Sequence, residues 1–378
     1  MSSSPNFLNP EFPTDMDAIQ KRIAQVDPRK YASSRNYIDG SVSYLSPYIA
    51  RGVISTKQVY QSLLERGFTI SNAEKFIQEL AWRDYWQQVW IHKENAIDSD
   101  LKHPQPTVEN YEIPKIVAEG TTGIIAIDEA ISLLYKTGYM HNHLRMYVAS
   151  IACNVAKSHW KIPAQWMYYH LLDADWASNA LSWQWVAGAN SNKKYYANQE
   201  NINRYCHTTQ SPTFLDVAYE DFENLSIPEV LTETNIPRLE TTLPISDTLD
   251  LVTELPTLIY NYYNLDPMWR KEQTANRILL LEPSHFKKFP VSAKSIEFLL
   301  ELAKNIKGIQ VFVGEFDELS TLYNLNHCFY KEHPSNNHYS GIEDSRDWMF
   351  AVEGYYPSFF AFWKKCKKEI KNKTAHEA

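Results

Sequence analysis

The sequence predicts a mostly α protein, with an all-helical region followed by a smaller C-terminal α/β domain. Apolar residues recur at helical spacing through much of residues 1–210. Residues 211–256 hold five prolines and many acids, a pattern typical of a connector with little regular structure. From residue 257 onward, short apolar runs alternate with a helical segment, which indicates a short parallel sheet. We therefore predict three regions: 1–210, 211–256 and 257–378.

The helical region is predicted from apolar periodicity. In residues 73–94, Trp82, Trp86 and Trp90 are four apart and so share one stripe of a helix. Further helices are predicted over 124–136, 141–160, 163–172 and 177–188. The segment 141–160 is apolar around most of its circumference, as a central buried helix is.

The C-terminal region is predicted from β-type runs at regular spacing. Strands are expected at LIYNYY (258–263), RILLLEP (277–283) and IQVFVGE (309–315), with a helix over 292–306. Strand, helix and strand in this order indicate a βαβ unit and hence parallel strands.

Composition excludes several classes of protein. Apolar residues make up 44% and charged residues 22%, as in soluble globular proteins. The chain contains no GxG and no GxxxxGK, so the usual dinucleotide and phosphate loops are absent. The four cysteines are far apart, without CxxC, which argues against a disulfide framework or a metal–sulfur site. There is no signal-like start and no apolar run of about 18 residues, so we expect a cytoplasmic protein that does not enter a membrane.

Charge is unevenly distributed along the chain. Residues 1–210 carry 20 basic and 20 acidic side chains, whereas residues 211–378 carry 17 basic and 25 acidic ones. A surface that binds a polyanion is therefore expected in the first part of the chain.

Two segments before residue 90 contain candidate site residues. In residues 42–55, Ser46 followed by Pro47 predicts a helix N-cap, where free amides and the Ser43 and Ser46 hydroxyls could hold an anion. In residues 76–86, Glu79 and Arg83 lie four apart with Trp82 between them. Taken alone, the first pattern is better explained by an ordinary capped helix. For the second, spacing does not distinguish a surface ion pair beside a core tryptophan from a carboxylate and an indole at the rim of a cavity.

Two later segments are rich in polar and aromatic residues. Residues 137–146 place His141, Asn142, His143 and Arg145 at a helix start, and without a third ligand the His-x-His pattern predicts no metal. Residues 171–185 contain Asp173, Asp175, Asn179, Trp183 and Trp185, and the two acids suit the N-terminus of the following helix. Helix caps and core tryptophans are the alternative interpretation.

In combination, these segments resemble the FAD-binding helical domain of the photolyase/cryptochrome family. The matching motifs occur in the same order over residues 30–205, as Tyr31…Arg35, Ser43…Tyr48, Glu79–Arg83, Thr137–Ser150, Leu171–Asn179 and Trp183–Trp185. The family normally begins with an α/β antenna domain, which this sequence lacks at its start. Our hypothesis is that the α/β region after residue 256 takes a comparable place in rearranged order. A domain for protein partners or self-association is the alternative.

The resemblance implies FAD as the cofactor, held without a GxG fingerprint. The implied phosphate-binding residues are Tyr31, Ser43, Leu45 and Ser46. Around the flavin ring, the resemblance places Arg83, Asn142, an Arg145–Asp173 ion pair, Asp175 at the polar edge and Asn179 opposite N5. A neutral amide opposite N5 favours a reduced, catalytic flavin over a purely signalling one.

The implied function is light-driven electron transfer from reduced flavin to pyrimidine dimers in DNA. The resemblance implies that Glu79 hydrogen-bonds the lesion, and that Trp82 and Trp185 form walls for the flipped bases. His143 stands at a DNA-backbone contact where arginine is common, and imidazole is the weaker phosphate partner. A cryptochrome-like blue-light receptor without repair activity is the alternative function.

The family also reduces its flavin through a chain of tryptophans. Trp183 and Trp160 match the two inner members, which makes them candidate catalytic residues beside Glu79 and Asn179. The third position is empty, and Tyr111 is a possible substitute. Residues 193–206 resemble the corresponding part of bacterial photolyase-like proteins with an iron–sulfur cluster, but the cysteine spacing is absent, so we predict no cluster.

Overall fold

A computed structural model describes residues 9–325 and 327–376. The described residues form two compact units, each built from separate stretches of the chain. The first unit comprises residues 9–11, 30–42 and 95–239, and the second comprises residues 12–29, 43–94 and 240–376. This division is not the consecutive one expected from the sequence, and the three-region description stays a prediction.

The helices and strands follow in chain order. The α-helices are α1 Met16–Ala24, α2 Pro28–Ser34, α3 Ser46–Ala50, α4 Thr56–Glu65, α5 Ile70–Lys93, α6 Lys115–Glu119, α7 Ile125–Thr137, α8 Asn142–Ser150, α9 Lys161–His170, α10 Trp176–Ala187, α11 Gln199–Cys206, α12 Pro283–Lys288, α13 Ala293–Ala303, α14 Phe316–Tyr323 and α15 Phe359–His376. The strands are β1 Ile113–Pro114, β2 Thr234–Asn235, β3 Thr257–Tyr260, β4 Asn276–Leu281, β5 Ile309–Val313, β6 Cys328–Lys331 and β7 Ile342–Asp344. The predicted mostly α class is confirmed.

The first unit is a helical assembly in which α8 packs on α7 and α10, and α10 packs on α9. On α10, the fully buried residues Ala177, Ala180 and Leu181 are spaced so that they share one face. The predicted helix over 141–160 ends early, because α8 passes into a π-helical turn at Ile151–Val155. Trp160 therefore follows a break in the helix and precedes α9.

A short antiparallel ribbon joins distant parts of the first unit. Ile113 in β1 pairs with Asn235 in β2. The Lys115 ammonium then forms an ion pair with Glu233 at 2.7 Å. Each strand has two residues, which is too short to produce a periodic sequence pattern, so the sequence did not predict this ribbon.

The second unit contains a five-stranded parallel sheet with the order β5-β4-β3-β6-β7. Ile259, Ile278 and Leu280 in its central strands are almost completely buried, as expected of a parallel sheet covered on both faces. The sheet is larger than predicted, since β6 and β7 were not recognised. These strands have four and three residues and no continuous apolar run.

The start of α3 corrects one prediction. The N-cap of α3 is Leu45, whose backbone angles are already helical. Ser46 is therefore the first helical residue and not the N-cap. The Ser43 hydroxyl accepts a hydrogen bond from the backbone N–H of Leu45 at 3.5 Å. The helix has five residues, too few to provide an anion site of its own.

Within the described part of the chain, no helix has the length and apolar character needed to cross a membrane.

Candidate functional site

The strongest polar feature of the first unit is an ion pair between α8 and the loop before α10. Arg145 Nη2 lies 3.0 Å from Asp173 Oδ2, and Arg145 Nε donates to the Met140 carbonyl at 2.8 Å. The Asp173 side chain is 7% exposed. Its second oxygen, Oδ1, is buried and has no hydrogen-bond donor among the described residues. A buried carboxylate oxygen without a donor is unfavourable, which points to a donor that a ligand would supply.

The two motifs that carry this ion pair are held together by a glycine. Gly138 ends α7 with a φ of 72°, and its carbonyl accepts from Leu172 N at 2.9 Å. A Cβ atom at Gly138 would lie 2.6 Å from Leu172 Cγ. Only glycine therefore allows the loop that bears Asp173 to pack this closely.

Asp175 and Asn179 lie at the start of α10. Asp175 is buried and caps the helix, since its Oδ1 accepts from Ser178 N at 2.8 Å. One turn later, Asn179 Nδ2 donates to the Ala164 carbonyl of α9 at 2.8 Å. Because a carbonyl only accepts, this bond fixes the amide orientation and leaves Asn179 Oδ1 as an acceptor.

The His-x-His segment is structural in its local contacts. His141 caps α8 by accepting from His143 N at 3.2 Å, and burial lowers the pKa of His141 to about 4. His143 bonds the Asn36 carbonyl through Nδ1 at 2.8 Å and packs edge-on against Tyr205. Burial lowers the pKa of His143 too, so its imidazole is neutral near pH 7. Asn142 is exposed at the first position of α8.

Tyr31, a further predicted cofactor residue of the first unit, lies in α2. The guanidinium of Arg35, the other residue of its motif, lies 6.0 Å from the centre of the Tyr31 ring. The remaining predicted aromatic wall of this unit, Trp185, is 40% exposed on α10 and packs against Tyr195.

A series of ring contacts leads from Trp160 to the surface. Trp160 is fully buried, and its indole N–H donates to Asp100 Oδ1 at 2.7 Å. The Trp160 ring lies 5.6 Å from that of His159, which stacks on Tyr111 at 5.3 Å. Tyr111 is 69% exposed. Tyr111 therefore lies two ring contacts from Trp160, at the surface.

Trp183, the other tryptophan matched to the electron-transfer chain, lies outside this series of ring contacts. Trp183 is buried, but among the described residues no aromatic ring contacts it. The tryptophan in ring contact with Trp160 is Trp176, at 6.4 Å, and its indole N–H donates to Asp98 at 2.6 Å. The sequence argument missed Trp176, Asp98 and Asp100. The signal available was that buried indole N–H groups need acceptors and that Asp98 and Asp100 are close in the chain.

In the second unit, α5 carries Glu79, Trp82 and Arg83. Glu79 forms an ion pair with Lys75 at 3.3 Å, on the preceding turn. The ring of Trp82 stacks face to face on Phe359 of α15, with centroids 3.9 Å apart and planes at 10°. One face of Trp82, the residue predicted to pack against flipped bases, is therefore in contact with the protein's own C-terminal helix.

The segment before α15 is attached to the same face of α5. Asp84 accepts hydrogen bonds from Thr56 Oγ1 at 2.9 Å and from Met349 N at 3.1 Å. Tyr85 donates to the Tyr356 carbonyl at 3.0 Å. Burial raises the pKa of Asp84 to about 6. Sequence reasoning missed the bonds to Met349 and Tyr356 because their partners are more than 260 residues apart in the chain.

The predicted cofactor residues are divided between the units. The first unit contains Tyr31, Asn142, Arg145, Asp173, Asp175 and Asn179, and the second contains Ser43, Leu45, Ser46 and Arg83. In the described ranges, no three His, Cys, Asp or Glu side chains are grouped so as to hold a metal ion.

Comparison with known proteins identifies the helical part. Residues 76–217 match the family described as the FAD binding domain of DNA photolyase. A protein named deoxyribodipyrimidine photo-lyase from Alkalihalophilus pseudofirmus is 29% identical over 44% of this chain and 36% of its own length. One of the same name from Vibrio cholerae is 32% identical over 41% of this chain and 34% of its own length. The matches thus span about a third of the length of these curated relatives.

Comparison with solved structures finds proteins named as a photolyase and a cryptochrome. A bacterial class III photolyase from Agrobacterium tumefaciens is 26% identical, covers 50% of this chain and 41% of its own, and has a TM-score of 0.44. A cryptochrome from Synechocystis is 24% identical, covers 54% and 46%, and has a TM-score of 0.46. By the family match, residues 76–217 are similar to the FAD binding domain of DNA photolyase, and FAD is the cofactor of that domain family.

Proposed function

We propose that this chain is a flavin-dependent DNA repair enzyme of the photolyase type, which uses light to split pyrimidine dimers. The observation that carries the proposal is the group Arg145, Asp173 and Asn179, in a segment matched to a FAD-binding domain. The relatives' name, deoxyribodipyrimidine photo-lyase, supports the choice of reaction.

The first unit's residues fit a flavin. The buried Asp173 Oδ1 requires a donor, and a flavin ring carries ring N–H groups that can donate. The Arg145 guanidinium is a permanent positive charge, one-fifth exposed, which favours an anionic form of a bound ring. Asp173 in turn keeps Arg145 in place.

Asn179 supports the reduced form of the flavin in particular. Its Nδ2 is engaged by Ala164, so Oδ1 is the amide atom left to face a ligand. A carbonyl oxygen accepts hydrogen bonds, and N5 of a flavin carries a hydrogen only after reduction. The amide brings no ready proton to this position.

When bound in its reduced form, FAD would supply the light-excited electron for splitting the dimer and would take it back afterwards. The chain's own residues bind and orient the lesion. We assign Glu79 to hydrogen-bond the lesion, and Trp82 and Trp185 to pack against the extruded bases. Ser43, Leu45, Ser46, Tyr31, Arg83, Asn142 and Asp175 are assigned to hold the remainder of the cofactor. His143 provides only a neutral contact to the DNA backbone.

Stacking of an extruded base on the face of Trp82 that Phe359 covers requires Phe359 to leave. The two rings are stacked at 3.9 Å, so an extruded base cannot occupy this face of Trp82 while Phe359 is there. Damaged DNA therefore competes with α15 for Trp82. Stacking of one base on an aromatic side chain contributes ~1–3 kcal/mol. Displacing the Phe359 ring costs a free energy of this order, which the DNA contacts must offset.

For photoreduction, we assign Trp183, Trp160 and a surface exit at Tyr111. The ring contacts of Trp160 with His159, and of His159 with Tyr111, support this exit. The Asp100 carboxylate at the Trp160 indole N–H lies where it stabilises positive charge on an oxidised indole.

The test is repair of an oligonucleotide containing a cyclobutane pyrimidine dimer. The full chain, loaded with FAD and chemically reduced, is mixed with the oligonucleotide under blue light or in the dark. We expect loss of the dimer in the light alone. Stoichiometric flavin without light-dependent repair would contradict the proposed activity and would leave a photoreceptor as the function.

A further inference from the structure

A cavity that is largely open to solvent lies in the first unit, apart from the residues assigned to flavin and DNA. It has a volume of about 430 Å³ and is lined by residues of α6, α7 and α9 and by the segment after β2. This volume is within the ~300–1,000 Å³ of typical small-molecule sites. None of the predicted flavin, DNA or electron-transfer residues lines it.

The cavity walls are fixed by hydrogen bonds and by the short ribbon. Trp166 Nε1 donates to the Tyr135 hydroxyl at 3.0 Å, and that hydroxyl donates to the Ala118 carbonyl. The β1–β2 pairing holds Asn235 and hence the lining residues Pro237 and Arg238 close behind it. The walls are therefore formed before any ligand arrives.

The lining offers flat aromatic surfaces. Tyr135 meets the His170 ring edge-on, with centroids 4.6 Å apart, and Tyr169 meets His170 at 4.9 Å and 88°. Trp166 forms a buried wall next to them. Aromatic and imidazole rings at right angles to one another suit a planar ring that stacks on one and meets the edge of another.

The lining also offers two kinds of polar recognition. Burial lowers the pKa of His170 to about 4, so the imidazole is neutral and has one N–H donor and one acceptor nitrogen. Within the described part of the chain, neither ring nitrogen of His170 takes part in a hydrogen bond. Arg238 places a guanidinium in the lining, a planar group whose N–H groups can donate to two oxygens of a phosphate.

We propose that this cavity binds a nucleoside monophosphate, with the base against the lining aromatic rings, the base edge bonded to His170 and the phosphate at Arg238. In such a ligand, the planar base contacts the stacking surfaces and the neutral imidazole, and the phosphate contacts the arginine. A purely apolar ligand would use neither polar group. The proposal does not depend on the repair activity.

Binding at this cavity is positioned to affect the flavin residues. His170 ends α9, two residues before Leu172 and three before Asp173. The same helix provides the Ala164 carbonyl that orients Asn179. A ligand that fixes His170 therefore restrains both ends of the segment that bears Asp173.

The experiment is calorimetric titration of the FAD-loaded full chain with adenosine monophosphate, adenosine and inorganic phosphate. Flavin absorbance is recorded throughout, so that displacement of FAD is detected separately. We expect saturable binding of adenosine monophosphate, about tenfold weaker binding of adenosine and no measurable binding of phosphate alone.

Variants assign the binding to the cavity. Arg238→Ala should reduce adenosine monophosphate to the affinity of adenosine, and Tyr169→Ala should weaken both. Arg204→Ala, which removes an exposed arginine elsewhere in this unit, should change neither. Absence of binding to wild type at about 1 mM ligand, or binding unaffected by Arg238→Ala and Tyr169→Ala, overturns the proposal.

Discussion

The Arg145–Asp173 ion pair makes the sharpest prediction for the cofactor. Arg145→Ala removes the one hydrogen-bond donor to Asp173 among the described residues and leaves a carboxylate that is 7% exposed. A charged hydrogen bond contributes ~1.5–3 kcal/mol, and breaking a fully buried ion pair costs ~3–5 kcal/mol. Because Arg145 is 20% exposed, solvent screens part of its charge. We therefore expect a loss of interaction free energy near the lower end of these ranges, about 2–3 kcal/mol.

This loss of interaction free energy should weaken the binding of FAD. Since 1.4 kcal/mol is a factor of ten, a loss of about 2–3 kcal/mol raises the dissociation constant of FAD roughly 30- to 150-fold. The assay is equilibrium dialysis of refolded protein with FAD, together with urea unfolding of the flavin-free chain. Arg204→Ala, an exposed arginine in the same unit, is the matched control. Wild-type FAD affinity in Arg145→Ala would refute the assignment of this ion pair to the flavin.

Four further predictions concern other residues. Glu79→Gln should retain stoichiometric flavin but slow light-dependent repair roughly tenfold, as expected for loss of one charged hydrogen bond; an unchanged repair rate removes Glu79 from the mechanism. Phe359→Ala should tighten binding of dimer-containing DNA at least about fivefold by anisotropy, since no ring then competes for Trp82, whereas exposed Phe360→Ala should not. Tyr111→Phe should slow photoreduction of oxidised flavin and leave repair by pre-reduced protein unchanged; equal photoreduction rates would place the exit elsewhere. Between pH 4 and pH 8, the free energy of unfolding of Asp84→Asn, measured in urea, should rise by up to about 3 kcal/mol relative to that of wild type. A pH-independent difference between the two proteins would contradict the raised pKa of Asp84.

The sign of the Asp84 prediction follows from its environment. The pKa of Asp84 is raised from 3.8 to about 6, so the folded state holds the proton more tightly than the unfolded chain does. The contribution of Asp84 to stability is therefore greatest below pH 4 and is lost as the pH rises through 6. Asparagine does not titrate. The difference in stability between Asp84→Asn and wild type therefore separates the contribution of Asp84 from that of the buried histidines, which both proteins share.

The sequence was sufficient to predict the helices that carry the site. The tryptophan stripe of α5 and the apolar periodicity of α7 to α10 depend on neighbours within two helical turns, which a sequence displays directly. The Arg145–Asp173 pair was also predicted, but from the family resemblance rather than from spacing, since 28 residues separate its members.

Other features depend on contacts that sequence spacing does not encode. The stack of Phe359 on Trp82 joins residues far apart in the chain, and so does the bond from Met349 to Asp84. Ser46 was expected as a cap because it precedes proline, but the helical angles of Leu45 moved the start of α3 by one residue. The strands β6 and β7 were missed because short strands carry little periodic signal.

The central claim is electron transfer from reduced flavin to damaged DNA, and the fluorescence lifetime of the reduced flavin tests it most directly. The lifetime is measured in the FAD-loaded full chain with dimer-containing DNA and with undamaged DNA of the same sequence, at concentrations where both are bound. Electron transfer to the dimer adds a decay path, so we predict a shorter lifetime with the dimer alone. Equal lifetimes with both bound oligonucleotides would contradict the account.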